Sequence, residues 1–547
     1  MKFSRTLTFF FLVLLISCAK EEMVIFPVYG TGSSLYAAGR AAQEGSLNLW
    51  RPKKMEYRFD SGLSVPPLSS LEIEYEFSSP PPDEIKEKYQ IVLETDGASW
   101  ALPMDLSFMG IAPDNSAAIH YAVPIDDSFS GRFGISVLPA VKKVSNTESV
   151  FKIKSLRIRE RWFGFSAGTD GGRFYTSPFV FKSNDGSHVI DLPAFFSRPP
   201  PQINVSLSAG QRASLELNDK RIEAQPGAEK IYLPPAIFPP AGRSIILSGD
   251  RIAAFHVDYS LPPAYPEPIE ADPGLVFEWP RERWRNSSWE IFRWEQFPSL
   301  LIIDTVDYAV QDRLLKRLAF FVEKAGFRGR LASDAEIAGL HGWNAHDYRA
   351  EDLARFFDMA RKTAFPLLTE ERELEKILLN EGIIRADSSG IAAGNGGIIS
   401  LSRESADYLR RLFLAHEGFH GLFFIDEDFR NFSRNRWNQF PAHAKNFIRS
   451  YFEYQQYDIR DEYLLVNEFM AHLLQQPASQ AGRYFGQTLP SRLENSWRSS
   501  VLPQKDEASS SWPSLATVFT AEAEAFSAYV SRRWGLAAGR VWLLTVR

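Results

Sequence analysis

The segment His416-Glu417-Gly418-Phe419-His420 carries the strongest chemical signal in the chain. Two imidazoles four residues apart project from one face of a helix and can share a metal ion. A glutamate between them stands beside the open metal position, where it can take a proton from water. The pattern has this meaning only on a helix. Tyr408, Leu409, Leu412, Phe413, Ala415, Phe419, Leu422 and Phe423 recur around it at three- and four-residue spacing. That spacing predicts a helix with His416 and His420 on its buried side. Ser402 or Ser405 is expected to cap its start. The metal such a pair calls for is Zn2+, with Glu417 as general base.

A catalytic zinc takes three protein ligands and leaves a fourth position open. Glu468 is the leading candidate for the third. It stands 48 positions after His420, in a stretch from Asp461 to His472 that reads as a second amphipathic helix stopped by Pro477. His472, one turn further on the same face, is expected to hydrogen-bond a ligand histidine or to serve as a ligand itself. Asp426, six residues after His420, is the rival.

Asn467-Glu468-Phe469-Met470-Ala471 resembles the Asn-Glu-x-x-Ala/Ser segment of the gluzincin metallopeptidases. Together with His-Glu-x-x-His, the resemblance spans Ser402 to Leu474. It implies a zinc peptidase with His416, His420 and Glu468 as ligands and with Asn467 and His472 supporting them. It also implies a transition-state donor, for which Tyr484, Tyr529 and His443 are candidates. Ile398-Ile399-Ser400-Leu401, after the turn Gly394-Asn395-Gly396-Gly397, reads either as the edge strand that in this pattern pairs with an extended substrate or as a plain sheet strand after a glycine turn. Asp426 stands where metzincins place their last ligand. That class needs a glycine to turn the chain sharply, and Phe423 is there instead.

Other polar segments read as support. Asp426-Glu427-Asp428 is expected to begin a polar loop in which one carboxylate orients a histidine, and Arg430-Asn431-Phe432-Ser433-Arg434-Asn435-Arg436-Trp437 to form a loop that is either solvated or grips an acidic or sugar-bearing substrate. Asn344, in Trp343-Asn344-Ala345-His346-Asp347-Tyr348, is expected to cap a following helix.

The elements that must hold this site fall in the last part of a 547-residue chain, too long for one core. Ser299–Asp304 reads as a buried strand. Val310–Ala325, Ala350–Ala364 and Glu370–Asn380 read as helices. Residues 275–547 are therefore expected to form an α+β catalytic domain, which the gluzincin resemblance implies is zincin-like. Two all-β sandwich domains of jelly-roll or Ig-like type are expected before it, at 54–160 and 161–260. Their strands alternate, as in Leu71-Glu72-Ile73-Glu74-Tyr75-Glu76-Phe77, Tyr89–Leu93, Lys152–Arg159, Gln202–Leu207 and Ser244–Leu247. A proline-rich linker at 261–274 joins the parts.

Residues 1–18 read as a targeting segment. Lys2 and Arg5 precede an apolar run from Phe9 to Ile16. Leu15-Ile16-Ser17-Cys18 resembles the lipobox of bacterial lipoproteins, which implies lipidation of Cys18, the sole cysteine. An exported, membrane-anchored protein is expected, periplasmic or at the cell surface, with Ala19 favouring the outer membrane and residues 19–53 as tether. The net charge of −6, from 61 basic and 67 acidic residues, gives no reason to expect a nucleic-acid partner. The expected function is zinc-dependent hydrolysis of peptide bonds outside the cytoplasm, on peptide or glycoprotein substrates, with glycan binding by the β domains. The competing reading is a carbohydrate- or protein-binding surface lipoprotein whose zincin domain is vestigial.

Overall fold

The computed structural model describes residues 263–499, residue 325 excepted, and 512–547, preceded by the strands lying between residues 22 and 258 and a few connecting residues near 225–229. Cys18 and the targeting segment lie outside the described residues. The chain divides into two compact units, Met1–Pro262 with Val546–Arg547, and Pro263–Thr545.

The first unit is built of β-sheets among its described residues. Every strand read from alternation is present, at Ser69–Phe77, Tyr89–Thr95, Val150–Arg159, Gln202–Leu207 and Ser244–Ser248. Its largest sheet has ten strands, and its order crosses residue 160. Arg173–Thr176 pairs in parallel with Ile119–Ile125, with Phe174 opposite Ile119. The chain therefore does not separate into sandwiches at 160/161. A ladder runs through that point, and pairing removes the open edges that two separate sheets would leave there. Nor is 19–53 only a tether. Glu22–Ile25 pairs with Val150–Arg159, and Ser33–Ala37 with Met55–Val65.

The second unit begins earlier than the proline pattern suggests, because part of the expected linker is structural. Ile269–Ala271 (β1) is the first strand of a five-stranded sheet. The others are Trp289–Trp294 (β2), Leu300–Thr305 (β3), His346–Arg349 (β4) and Gly397–Ser402 (β5). Their spatial order is β1-β2-β3-β5-β4. β3 and β5 run parallel and are buried at every position, as strands covered on both faces must be. β4 closes the sheet antiparallel to β5, with Asp347 opposite Ile399. So Ile398–Leu401 is an inner strand, flanked on both sides, and not an edge. The edges of this sheet are β1 and β4.

Helices cover the sheet. Tyr308–Val322 (α1), Ala350–Lys362 (α2) and Thr369–Asn380 (α3) pack their apolar stripes on one face, where Leu301 and Ile303 meet Leu314, Leu318, Phe321 and Phe357. Asp407–Ile425 (α4) lies on the other, Leu300 face. A Cβ built on Gly421 would stand 3.0 Å from Leu300 Cδ1, and one on Gly418 would stand 2.9 Å from Val541 Cγ2. The glycines thus let the histidine-bearing helix approach both neighbours closely. Its start is pinned electrostatically. Arg410 donates to both oxygens of buried Asp304 at 2.8 Å, and Arg403 donates to the same carboxylate at 2.6 Å. Neither Ser402 nor Ser405 caps α4, whose N-cap is Ala406 with no side-chain bond.

Further helices after α4 are Glu427–Gln439 (α5), Ala442–Tyr454 (α6), Glu462–Leu474 (α7), Ala478–Arg483 (α8), Leu489–Ser499 (α9) and Trp512–Trp534 (α10). The expected basic loop at 430–437 is therefore helix α5. Asp426 starts it, accepting from Phe429 N at 2.7 Å. Arg430 then caps the end of α4 by donating to the Phe423 and Phe424 carbonyls.

Candidate metal centre

α4 and α7 cross so that three side chains meet. On α4, one helical turn brings His416 Nε2 and His420 Nε2 to 3.1 Å. From α7, Glu468 Oε2 reaches to 3.6 Å from His416 Nε2, and Oε1 to 3.8 Å from His420 Nε2. Ligand atoms held roughly 2.0–2.1 Å from a tetrahedral zinc stand about 3.3–3.4 Å from one another. The three groups thus converge at nearly the separations such an ion needs. His420 is 1% exposed and Glu468 4%. Glu468 Oε2 has no hydrogen-bond partner among the described residues. A buried carboxylate oxygen without a donor is costly unless something positive meets it.

Protonation tendencies agree. Burial pushes His416 down to about 4, so its ring is neutral at physiological pH, the form that binds metal. Burial pushes the Glu468 carboxyl up to about 7, against the pull of His420 and a hydrogen bond from Tyr457. A divalent cation would reverse that shift. The donor set, two imidazoles and one carboxylate on largely buried side chains, fits zinc, with His416, His420 and Glu468 as holders.

Glu417 also faces the cavity. It is 6% exposed, and burial first, then neighbouring Asp347, raises its carboxyl well above the ordinary range. That cavity has a volume of about 470 Å³. Leu409, Leu412 and Phe413 of α4 form an apolar wall, and Trp343, Tyr451 and Tyr457 an aromatic one.

The supporting residues are placed as follows. His472 sits edge-on to His416, ring centroids 5.0 Å apart, and its Nε2 is 3.9 Å from Glu468 Oε2. Its Nδ1 meets the Tyr484 hydroxyl at 3.1 Å and the Gln475 amide at 3.3 Å. It therefore packs against the ligands without hydrogen-bonding a ligand histidine. Asn467 is buried on α7 beside Glu468. Of the donor candidates, Tyr484 lines the cavity. Tyr529 instead stacks on Phe432 at 4.1 Å, and His443 is exposed at the start of α6. Asp426 caps α5 and pairs with Arg533 at 2.7 Å, so its carboxylate is already engaged elsewhere. Asn344 lines the cavity and caps no helix, since strand β4 follows it.

Three residues of the site were not legible as such. Asp347 lies beside Glu417 and His420, their polar atoms all within 4.8 Å of one another. Glu323, at the C-cap of α1, lines the same cavity and accepts from the Trp343 indole. Tyr457 bonds Glu468 and stacks on Trp343 at 5.6 Å. The alternation His346-Asp347-Tyr348-Arg349 was a usable strand signal, with Asp347 and Arg349 on one face.

No family model and no curated protein matches the sequence. Likenesses among solved structures are slight. A xylan-binding module, CBM15, is 12% identical, covering 25% of this chain and 97% of its own, at a TM-score of 0.18. A CBM29-2 mutant is 15% identical, covering 25% and 84%, at 0.16. The CBM22-1-CBM22-2 tandem domain from Paenibacillus barcinonensis Xyn10C is 9% identical, covering 44% and 96%, at 0.14. At such scores they bear on neither the activity nor the metal-binding residues of this chain.

Proposed function

We propose that the second unit is a zinc-dependent hydrolase of gluzincin-like design, and that it cleaves peptide bonds. The observation carrying this reading is the convergence of His416, His420 and Glu468 from two helices in a buried pocket, with Glu417 beside them. Zinc bound there supplies Lewis acidity, acidifying water and polarising a carbonyl. Glu417 accepts the proton of the attacking water and returns it to the leaving amine. Burial raises its affinity for protons, which favours its taking one from water. The apolar face of α4 along the cavity suits the side chains of a peptide. The lipobox-like segment ending in Cys18 supports an extracytoplasmic, lipid-anchored setting.

The test is Glu417→Gln. The variant retains stoichiometric zinc and loses turnover of an internally quenched peptide library by at least a hundredfold. Full activity in that variant would contradict the mechanism.

A further inference from the structure

His420 carries an unmet requirement that the three ligands do not explain. Its ring is 1% exposed, and Nδ1 has no hydrogen-bond partner among the described residues. If Nε2 faces a metal, the ring proton must reside on Nδ1, and a buried N–H needs an acceptor. One carboxylate is aimed at it: Asp347 Oδ2 stands 3.9 Å away.

The sheet fixes that placement. β4 is antiparallel to β5, with Asp347 opposite Ile399 and Tyr348 opposite Ile398. Side chains alternate along a strand, so buried His346 and Tyr348 take one face and Asp347 takes the other. That other face is the α4 side, where a carboxylate oxygen of Asp347 also lies within 4.8 Å of the Glu417 carboxyl. It is 16% exposed, and no Lys or Arg side chain pairs with it among the described residues. One carboxylate therefore touches both a ligand histidine and the residue cast as general base.

We infer that Asp347 is a positioning residue that orients the His420 ring through Nδ1 and holds the Glu417 carboxyl toward the reacting water. This rests on the zinc-hydrolase reading above. Carboxylate partners of ligand histidines fix the ring's tautomer and orientation, and losing one typically weakens metal binding about 10–100-fold. Here the partner comes from a sheet strand some sixty residues before the metal helix, not from the helix that follows it. A rigid strand is a precise place from which to hold two groups at once.

The experiment compares Asp347→Ala and Asp347→Asn with the native full-length chain. The zinc dissociation constant is read by chelator competition, and kcat and KM on a quenched peptide library at saturating zinc. The Ala variant is expected to bind zinc about 10–100-fold more weakly. Its kcat is expected to fall at least tenfold with KM unchanged. Asn keeps an oxygen to accept from Nδ1 and is expected to recover most of the zinc affinity. The circular dichroism of each metal-free variant reports folding, and Asn provides the comparison should Ala fail to fold. Zinc affinity and kcat within twofold of native in Asp347→Ala, or an Asn variant no closer to native in zinc affinity than Ala, would overturn the inference, as would a raised KM with unchanged kcat. A native chain that binds no zinc would overturn the proposed function and this inference together. A native chain with zinc and unaffected variants would overturn this inference alone.

Discussion

Gly418, between the two histidines, makes a packing claim that can be broken and repaired. A Cβ there would stand 2.9 Å from Val541 Cγ2, 3.2 Å from Cγ1 and 3.3 Å from Cβ, and Val541 is fully buried. Overpacking of this kind costs about 1–3 kcal/mol. Alanine in place of glycine inside a helix returns about 1 kcal/mol. Gly418→Ala alone should therefore destabilise α4 by roughly 0–2 kcal/mol. Val541→Ala alone removes two methyl groups at about 0.8 kcal/mol each, plus a cavity term. In the double variant the new methyl enters the vacated space, and the two changes should couple favourably by about 1–2 kcal/mol. The chain has two compact units, so global unfolding is a poor probe. Hydrogen exchange of the α4 amides in zinc-free protein reads the local effect directly. The same clash pushes the histidine helix away, so zinc affinity should fall in Gly418→Ala and recover in the double variant. Additivity within about 0.5 kcal/mol would refute the close approach.

Three further outcomes follow from the geometry. Glu468→Ala should weaken zinc binding and remove its pH dependence near neutrality. In the native chain Glu468, at about 7, must release a proton to bind zinc while His416, at about 4, is already neutral, so affinity climbs with pH up to about 7. Asp272→Ala should cost about 3 kcal/mol or more, because its buried carboxylate accepts from the backbone N–H of Gly274, Leu543 and Leu544. Burial raises Asp272 from 3.8 to about 6. The fold therefore keeps a proton across that window which the unfolded chain has released. Its contribution to stability is full below 3.8 and lost as pH rises through about 6, a slope that Asp272→Asn should remove from the opening free energies of the second unit read by hydrogen exchange. Finally, Asp426→Asn should leave zinc affinity unchanged, since that side chain caps α5; a tenfold loss on chelator titration would reinstate it as a ligand.

What the sequence disclosed and what it withheld follow from distance along the chain. His416 and His420 are joined by one helical turn, so their spacing alone placed both nitrogens together. Glu468 could be chosen because its own segment is a strongly apolar helix with a matching motif. Asp347 escaped notice because its role depends on β4 pairing with β5, a contact across some fifty residues. The same limit explains the edge strand. Ile398–Leu401 shows only that it is buried, and the order of strands decides which one is at the edge. Asp426 was ambiguous for a different reason, since a carboxylate three residues before a buried Phe429 serves a cap as well as a ligand. The division at 160/161 failed because composition marks turns but not whether a ladder continues past them.

The central claim is that one zinc is held by two imidazoles and one carboxylate at the crossing of α4 and α7. X-ray absorption at the zinc edge of the purified native chain tests it most directly. The predicted result is one zinc per chain, with two nitrogens from imidazole at about 2.0–2.1 Å and a carboxylate oxygen at about 2.0–2.2 Å, that oxygen being lost in Glu468→Ala. A metal-free chain, or a zinc shell unchanged by Glu468→Ala, would contradict it.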